Sequence, residues 1–518
     1  MATPEDRIEQ LPGLRARLSA SLAAAGDVDF LRMLWTLNAL QTGRSDDARR
    51  FLNGYPPEAA TVGIHGPHAI FPWEVETLAN ELLTAPKGLY RVFNCRDWNA
   101  IGNLVNQLRA VENAEYGARR GDINILVEMG RIGARQFPWQ RGYVSIPALY
   151  RNAYVYGQGE CAAYLRQAMD ISTSDMTLVG FSLLAAFYCE PEIRPDTEMG
   201  IIQEFGISPD TLWRTLGRIA RPIVNLRREA ALLRDANVAT PYKPSILRQY
   251  PCIRVGHCGR TLVAPIPDLI MDRVTNGLFY DVIGGGGPVR TEIGRRFEAY
   301  SIALLRGMLS GAHFAPEATY RTRLGPIATP DILMRSDDGE VQLAIECKAS
   351  RMSVTARFGE APEGDRGYDE IAKGVMQLWR YYAHCRQGVA DDRLAEGAQG
   401  MILTMDEWFA GRSTVISQIV ARANELADAS AHEIPLADRR PVAFCTISEL
   451  EVVLATATPA SLQETVQVGS GDRAGWIFSI LHDELLSEKA MPRPYPFEDA
   501  LNELLPWHGR LRDMSDGT

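Results

Sequence analysis

Apolar positions recur at helical spacing from about Glu5 to Asn237, and no long run alternates apolar with polar residues there. The strongest helical segments are Arg50-Phe51-Leu52, Ile101 to Val111, Cys161 to Met169, Met176 to Tyr188 and Thr211 to Ile219, with Gly and Pro between them. The pattern then changes. Ile246 to Ile283 carries strand-like pieces at Ile253-Arg254-Val255 and Thr261-Leu262-Val263. Gly284 to Gly287 reads as a hinge, and Thr291 caps a helix running to about Leu309. Next come a strand near Thr319 to Leu324 and two apolar runs, Ile332-Leu333-Met334 and Leu343 to Ala349, separated by the turn signal Ser336-Asp337-Asp338-Gly339. A helix through Gln377, a strand Gly400 to Thr404, a helix from Ser413 to about Leu426 and a strand Val442 to Cys445 follow.

This order predicts a mostly helical N-terminal region followed by an αβββαβαβ core with a mixed sheet between helices, an α+β/α/β class. The expected division is a helical domain over 1–245, a connecting segment over 246–290, the core over 291–460 and a helical extension over 461–518. That extension is expected to turn at Gly469 to Asp472, form helices near Trp476 to Ser487 and Glu498 to Leu505, and end in a disordered tail.

Composition narrows the function classes. The chain has 518 residues and a net charge of -10, which argues against a wholly basic DNA-coating protein, so any nucleic-acid surface must be a local patch. The eight cysteines form no dense framework, and the first residues lack the basic and apolar regions of a signal peptide, so a cytoplasmic location is expected. The longest apolar run, Met176 to Cys189, is too short to span a bilayer and reads as a buried helix, so no membrane partner is expected.

The chain holds 49 arginines and five lysines. One of those lysines, Lys348, stands two residues after Glu346 on a predicted strand, and Asp331 opens the neighbouring one. Alternation puts Glu346 and Lys348 on one face and Ile345 and Cys347 on the other, with Asp331 beside them. Two carboxylates and an ammonium on a partly buried face are costly to desolvate unless a divalent cation and a phosphate complete the charge balance. Hard oxygen ligands select Mg²⁺ or Mn²⁺. The lysine's compact charge suits it to orient water or stabilise the phosphoryl group, and its pKa can shift.

Pro330-Asp331 followed by Glu346-Cys347-Lys348 resembles the PD-(D/E)XK nuclease superfamily, whose core is restriction-endonuclease-like. Gly294 to Tyr300 resembles the helix that precedes the family's sheet and supplies a further acidic residue, here Glu298. Gln377-Leu378-Trp379-Arg380-Tyr381 matches the Gln-x-x-x-Tyr signature of the RecB-like branch, and Lys373 precedes Gln377 by four residues on the same helical face. The resemblance implies Asp331 and Glu346 as ligands of Mg²⁺ or Mn²⁺, Glu298 as an outer ligand, Lys348 assisting the water, and Gln377, Tyr381 and Lys373 positioning the phosphate. It implies a nuclease with DNA as its expected substrate. Chains of this layout resemble stand-alone bacterial proteins, some of which act in defence against phage. An RNA-cleaving nuclease and a catalytically inactive binding or interaction protein on the same scaffold stay open as alternatives.

Further cations are candidates for phosphate contact. Arg351, Arg357 and Arg366 lie in a Gly-, Pro- and charge-rich loop, Arg351 to Asp369. Arg214, Arg218 and Arg221 recur at helical spacing, with Arg227, Arg228 and Arg234 beyond. The preceding Gly206 to Arg214 resembles part of a helix-turn-helix, but Ser208-Pro209-Asp210 is equally a plain helix start, the favoured choice. Cys252, His257 and Cys258 lack the fourth ligand of a structural zinc site. The helical half is a candidate sensor or regulatory surface, and homo-oligomerisation is left open.

Overall fold

The computed structural model describes residues 4–60, 66, 68–118, 125–198, 200–234, 238–256, 259–353, 357–358, 366–408, 413–486 and 490–516. It is a mixed α/β structure with a helical N-terminal region. Helices there include Pro4–Ala23, Asp27–Gln41, Pro72–Thr84, Trp98–Gly117, Ile125–Arg141, Ile146–Tyr156, Gly159–Met169 and Thr173–Cys189. Arg50 to Leu52 lies beyond the end of a short helix, Ser45–Arg49, rather than within one. The region is mostly helical as expected, with two short strands that the sequence did not predict: Glu192–Ile193 and Ala220–Pro222 join Cys252–Val255 and Thr261–Val263 in a four-stranded sheet. Two- and three-residue strands are too short for alternation to register.

In the C-terminal half the long helix α1 (Gly286–Met308) leads into a five-stranded sheet: β1 (His313–Pro316), β2 (Ile332–Arg335), β3 (Val341–Lys348), β4 (Leu394–Thr404) and β5 (Val442–Thr446). The spatial order is β5-β4-β3-β2-β1. β1, β2 and β3 are antiparallel, while β3, β4 and β5 are parallel, each parallel connection passing through a helix, α2 (Arg366–Arg386) or α3 (Ser413–Asp428). A further helix, α4 (Ile447–Leu454), follows β5.

Three boundaries differ from expectation. α1 begins at Gly286, so Thr291 is inside the helix and not its cap; Pro288 occupies the first turn, where its missing N–H costs nothing. The first sheet strand is β1 and not Thr319 to Leu324; Thr319–Thr322 instead pairs with Gly325–Ala328 in a separate hairpin. Where disorder was expected over the last ten or so residues, the helix Pro506–Asp516 runs instead, and Trp507 at its start is buried, donating to Thr177 Oγ1 at 3.2 Å.

Both sheet faces are covered. Ile332, Met334, Leu343, Ile345 and Cys347 join a hydrophobic cluster that runs from Leu18 to Trp507 and takes in the helical half. Leu333, Val341, Ala344 and Ile402 pack instead against Ile371, Val375, Leu378 and Tyr382 of α2 and Ile416 and Ile419 of α3. This two-sided burial explains why β3 is apolar at nearly every position except Glu346 and Lys348. Among the described residues no single helix is long and apolar enough to cross a membrane; Gly159–Met169 and Thr173–Cys189 meet that test only together, bent by 72°. All the described cysteines are free, and Cys252 is buried in its strand. His257 and Cys258 lie outside the described residues.

Candidate active site

The β2–β3 register sets the centre of the site. Ile332 faces Ile345 and Leu333 faces Ala344, so one further step puts Asp331 across from Glu346, on the sheet face that also carries Lys348. The hairpin closes at Gly339, at φ +79° with its N–H donating to Ser336 O at 2.9 Å, and the pairing then shifts by one residue between Arg335 and Met334, so that Asp331 and not Pro330 comes opposite Glu346.

Side-chain contacts tighten the arrangement. Asp331 Oδ2 accepts the Cys347 backbone N–H at 2.6 Å, which pins the aspartate to the end of β3. Lys348 Nζ donates to Glu346 Oε1 at 2.7 Å and to Gln377 Oε1 at 3.3 Å, so α2 closes over the site through its glutamine. The backbone of α2 comes close enough to do this because residue 374 is glycine. A Cβ there would lie 2.7 Å from Lys348 Cε and 3.2 Å from Glu346 Cγ.

The electrostatics follow from crowding acids in a buried place. Burial, then repulsion from Glu346 and Glu298, pushes the Asp331 carboxyl up to about 8. Glu346 is also raised by burial, against the pull of Lys348. Burial disfavours the Lys348 ammonium, yet Glu346 and Asp331 more than offset it and raise its pKa, so the lysine stays charged. Glu298, half-buried on α1, is raised by burial and by Glu317 and Glu346. Among the described residues four carboxylates therefore share one local field with the buried Lys348 ammonium, with Arg380 also acting on Glu346. Among the described residues no three His, Cys, Asp or Glu side chains stand in ligating geometry, so Glu298, Asp331 and Glu346 form no ready-made carboxylate cage. Two carboxylates are enough for a cation that keeps several waters, as Mg²⁺ does.

The other expected residues divide. Tyr381 is buried, but its hydroxyl donates to Asp392 Oδ2 at 2.7 Å, and Asp392 also pairs with Arg335 at 2.7 Å near the far end of the β2–β3 hairpin. It anchors α2 and does not join Lys348. Lys373 is exposed, with no ion pair among the described residues. Arg351 and Arg357 are not free for phosphate. Arg357 pairs with Asp406 at 2.7 Å, and Arg351 donates to Tyr156 Oη at 3.2 Å and stacks 5.0 Å from the Phe279 ring centre. Although burial opposes it, the two guanidiniums hold Asp406 below the usual carboxylate range. Arg366 is taken up by Glu370 at 3.0 Å.

Most of the helical-half stripe is likewise paired or stacked, whereas Arg228 is exposed with no ion pair among the described residues. Arg214 reaches Asp170 at 3.2 Å and Arg218 reaches the buried Asp281 at 2.7 Å. Arg221 leaves the helix for the Ala220–Pro222 strand and lies 4.1 Å over Tyr250. Arg227 pairs with Asp27 and Arg234 with Glu81. The plain helix start holds, since Ser208 Oγ accepts the Thr211 N–H at 3.1 Å.

Three residues escaped sequence reasoning. Gly374 carried a signal, an interior helix glycine beside Lys373, which marks close approach. Glu317 and Arg380, both within the field of Glu346, carried none, because only the tertiary fold brings them there. Comparison of the chain with protein families, with curated proteins and with solved structures finds no match.

Proposed function

We propose that the chain is a metal-dependent nuclease with DNA as its substrate, built on a restriction-endonuclease-like core. The observation that carries this reading is the meeting of Asp331, Glu346 and Lys348 on one sheet face, with Lys348 held between Glu346 and Gln377. The order α1, β1–β3, α2, β4, α3, β5 is the order the resemblance implies.

Chemistry follows from the charges. Burial raises both the Asp331 and the Glu346 carboxyl, and at Asp331 repulsion from Glu346 and Glu298 adds to it, a cost that a divalent cation would relieve. Asp331 and Glu346 would hold such an ion, which when bound polarises a phosphoryl oxygen and acidifies a water. Lys348, held beside Glu346, would donate to phosphoryl oxygen as charge grows there or orient the attacking water. Gln377 limits the directions open to the ammonium, and Gly374 lets α2 exclude water from that side.

The test incubates the purified protein with supercoiled plasmid, linear duplex, single strands and RNA, with Mg²⁺, Mn²⁺ or chelator. Cleavage of DNA that needs the metal and falls about a hundredfold or more in Glu346→Ala and Lys348→Ala is the expected result. Variants as active as the parent reject the assignment, and cleavage confined to RNA rejects the substrate.

A further inference from the structure

The segment between β1 and β2 is a second, smaller hairpin whose base is the site itself. Glu317 follows β1, Asp331 precedes β2, and between them Thr319–Thr322 pairs with Gly325–Ala328 around the two-residue turn Arg323-Leu324. The base is fixed: the Thr329 N–H donates to Ala318 O at 2.8 Å, and the Ala318 N–H donates to Thr329 Oγ1 at 3.0 Å. One side is fixed as well. Tyr320 packs against the α2 core, and a 2.9 Å hydrogen bond joins its hydroxyl to His384 Nδ1.

The tip is different. Arg321 and Arg323 are exposed, with no ion pair or hydrogen bond among the described residues, and Leu324 at the turn is 63% exposed. Flanking arginines are spent internally: Arg335 on Asp392, Arg357 on Asp406, Arg296 on Glu292 and Arg366 on Glu370. Two unneutralised cations and an apolar tip therefore project from the rim of a site that also holds Asp331, Glu346, Glu298 and Glu317.

Resting on the nuclease reading above, we propose that this hairpin is a DNA-engaging arm that enters the major groove of duplex DNA, with Arg321 and Arg323 on flanking phosphates and Leu324 against base edges. Size supports the groove. Four residues per strand at about 3.3 Å each give the arm a reach of roughly 10 Å, and the B-form major groove is about 8.5 Å deep and wide enough for a two-stranded ribbon. The minor groove, about 6 Å wide, is too narrow without distortion. The deep, narrow major groove of duplex RNA does not admit it. Thymine methyl groups on the groove floor suit an apolar tip.

The experiment measures binding of the full-length protein to a short labelled DNA duplex by fluorescence anisotropy across a salt series, in chelator to prevent cutting. Each phosphate contact contributes about 0.9 to the slope of log affinity against log salt. Arg321→Ala/Arg323→Ala is expected to reduce that slope by roughly 1.8 and to weaken binding on the order of tenfold at moderate salt. Arg321→Lys/Arg323→Lys should restore the slope, and Leu324→Ser should weaken binding with the slope unchanged. An unaltered slope in the alanine pair, an equal loss with duplex RNA of the same sequence, or no duplex binding by the parent overturns the arm. The nuclease reading is judged separately, by metal-dependent cleavage in the parent against Glu346→Ala, so either idea can fail while the other stands.

Discussion

Gly374→Ala separates site geometry from fold stability. The added methyl would lie 2.7 Å from Lys348 Cε, where carbon atoms ordinarily rest about 3.5–4.0 Å apart, so the lysine arm must retreat by roughly 1 Å. That retreat takes the 2.7 Å bond to Glu346 and the 3.3 Å bond to Gln377 to or beyond hydrogen-bond range. A misplacement of about 1 Å at a reacting centre costs up to ~10²-fold, so kcat/KM for plasmid cleavage should fall roughly ten- to hundredfold. The stability change is bounded separately. Alanine gains ~0.8–1.0 kcal/mol over glycine inside a helix, while crowding against Glu346 Cγ and Ile402 Cδ1, both at 3.2 Å, costs about 1–3 kcal/mol. The net loss is then at most about 2 kcal/mol, measurable by urea unfolding. In a double variant with Lys348→Ala the glycine change should add little, because the group it displaces is gone. A folded Gly374→Ala protein that cleaves within about twofold of the parent refutes the assigned role of Lys348.

Tyr381→Phe should leave cleavage nearly intact but cost about 1.5–3 kcal/mol in urea unfolding, since the hydroxyl serves a charged acceptor, Asp392. A tenfold drop in kcat with unchanged stability would return the tyrosine to the site. Burial, then His432 and Arg380, lowers the His384 pKa from 6.5 to about 4, so its contribution to stability is present above about 6.5 and is lost as pH falls toward 4. That is worth at most about 3 kcal/mol, and the acid-side decline in unfolding free energy should be shallower by up to that amount in His384→Gln; identical declines in the two proteins would discard it.

How far the sequence spoke depended on the range of the interaction. Glu346 and Lys348 were legible because a period of two puts them on one face, and Asp331 because one hairpin brings its strand alongside; the one-residue register shift between Met334 and Arg335 that sets Asp331 against Glu346 carried no local signal. Gln377 and Tyr381 both came from a signature, yet only the first meets the lysine, because the second is one helical turn farther along α2. β1 was missed for a physical reason: His313-Phe314-Ala315-Pro316 ends in a proline suited to an edge strand, whereas Thr319-Tyr320-Arg321-Thr322 has the alternation expected of a sheet. Basic stripes misled most. Arg218 finds Asp281 and Arg357 finds Asp406 across sixty-three and forty-nine residues of sequence, and no local pattern announces such partners.

Those pairings explain what the arginine bias does. Thr404 of β4 registers with Lys348, and the next residue, Met405, donates its N–H to Lys348 O at 3.1 Å, so the segment after β4 lies against the lysine. That segment is held by the helical half and its neighbours. Arg141 bonds Glu407 at 2.5 Å and Glu449 at 2.7 Å, Arg151 pairs with the buried Glu451 on α4, and Arg351 links the loop after β3 to Tyr156. Guanidinium suits these places because it stays charged when buried and serves several acceptors at once, which lysine does not. Strand ends without such ties open locally at low cost, and a lysine displaced by an ångström is catalytically poor. The helical half therefore acts on the site as a brace. It takes up many of the cations that composition alone would offer to nucleic acid, while Arg321 and Arg323 at the tip of the Thr319–Ala328 hairpin make no ion pair among the described residues, which is why the proposed arm is placed there.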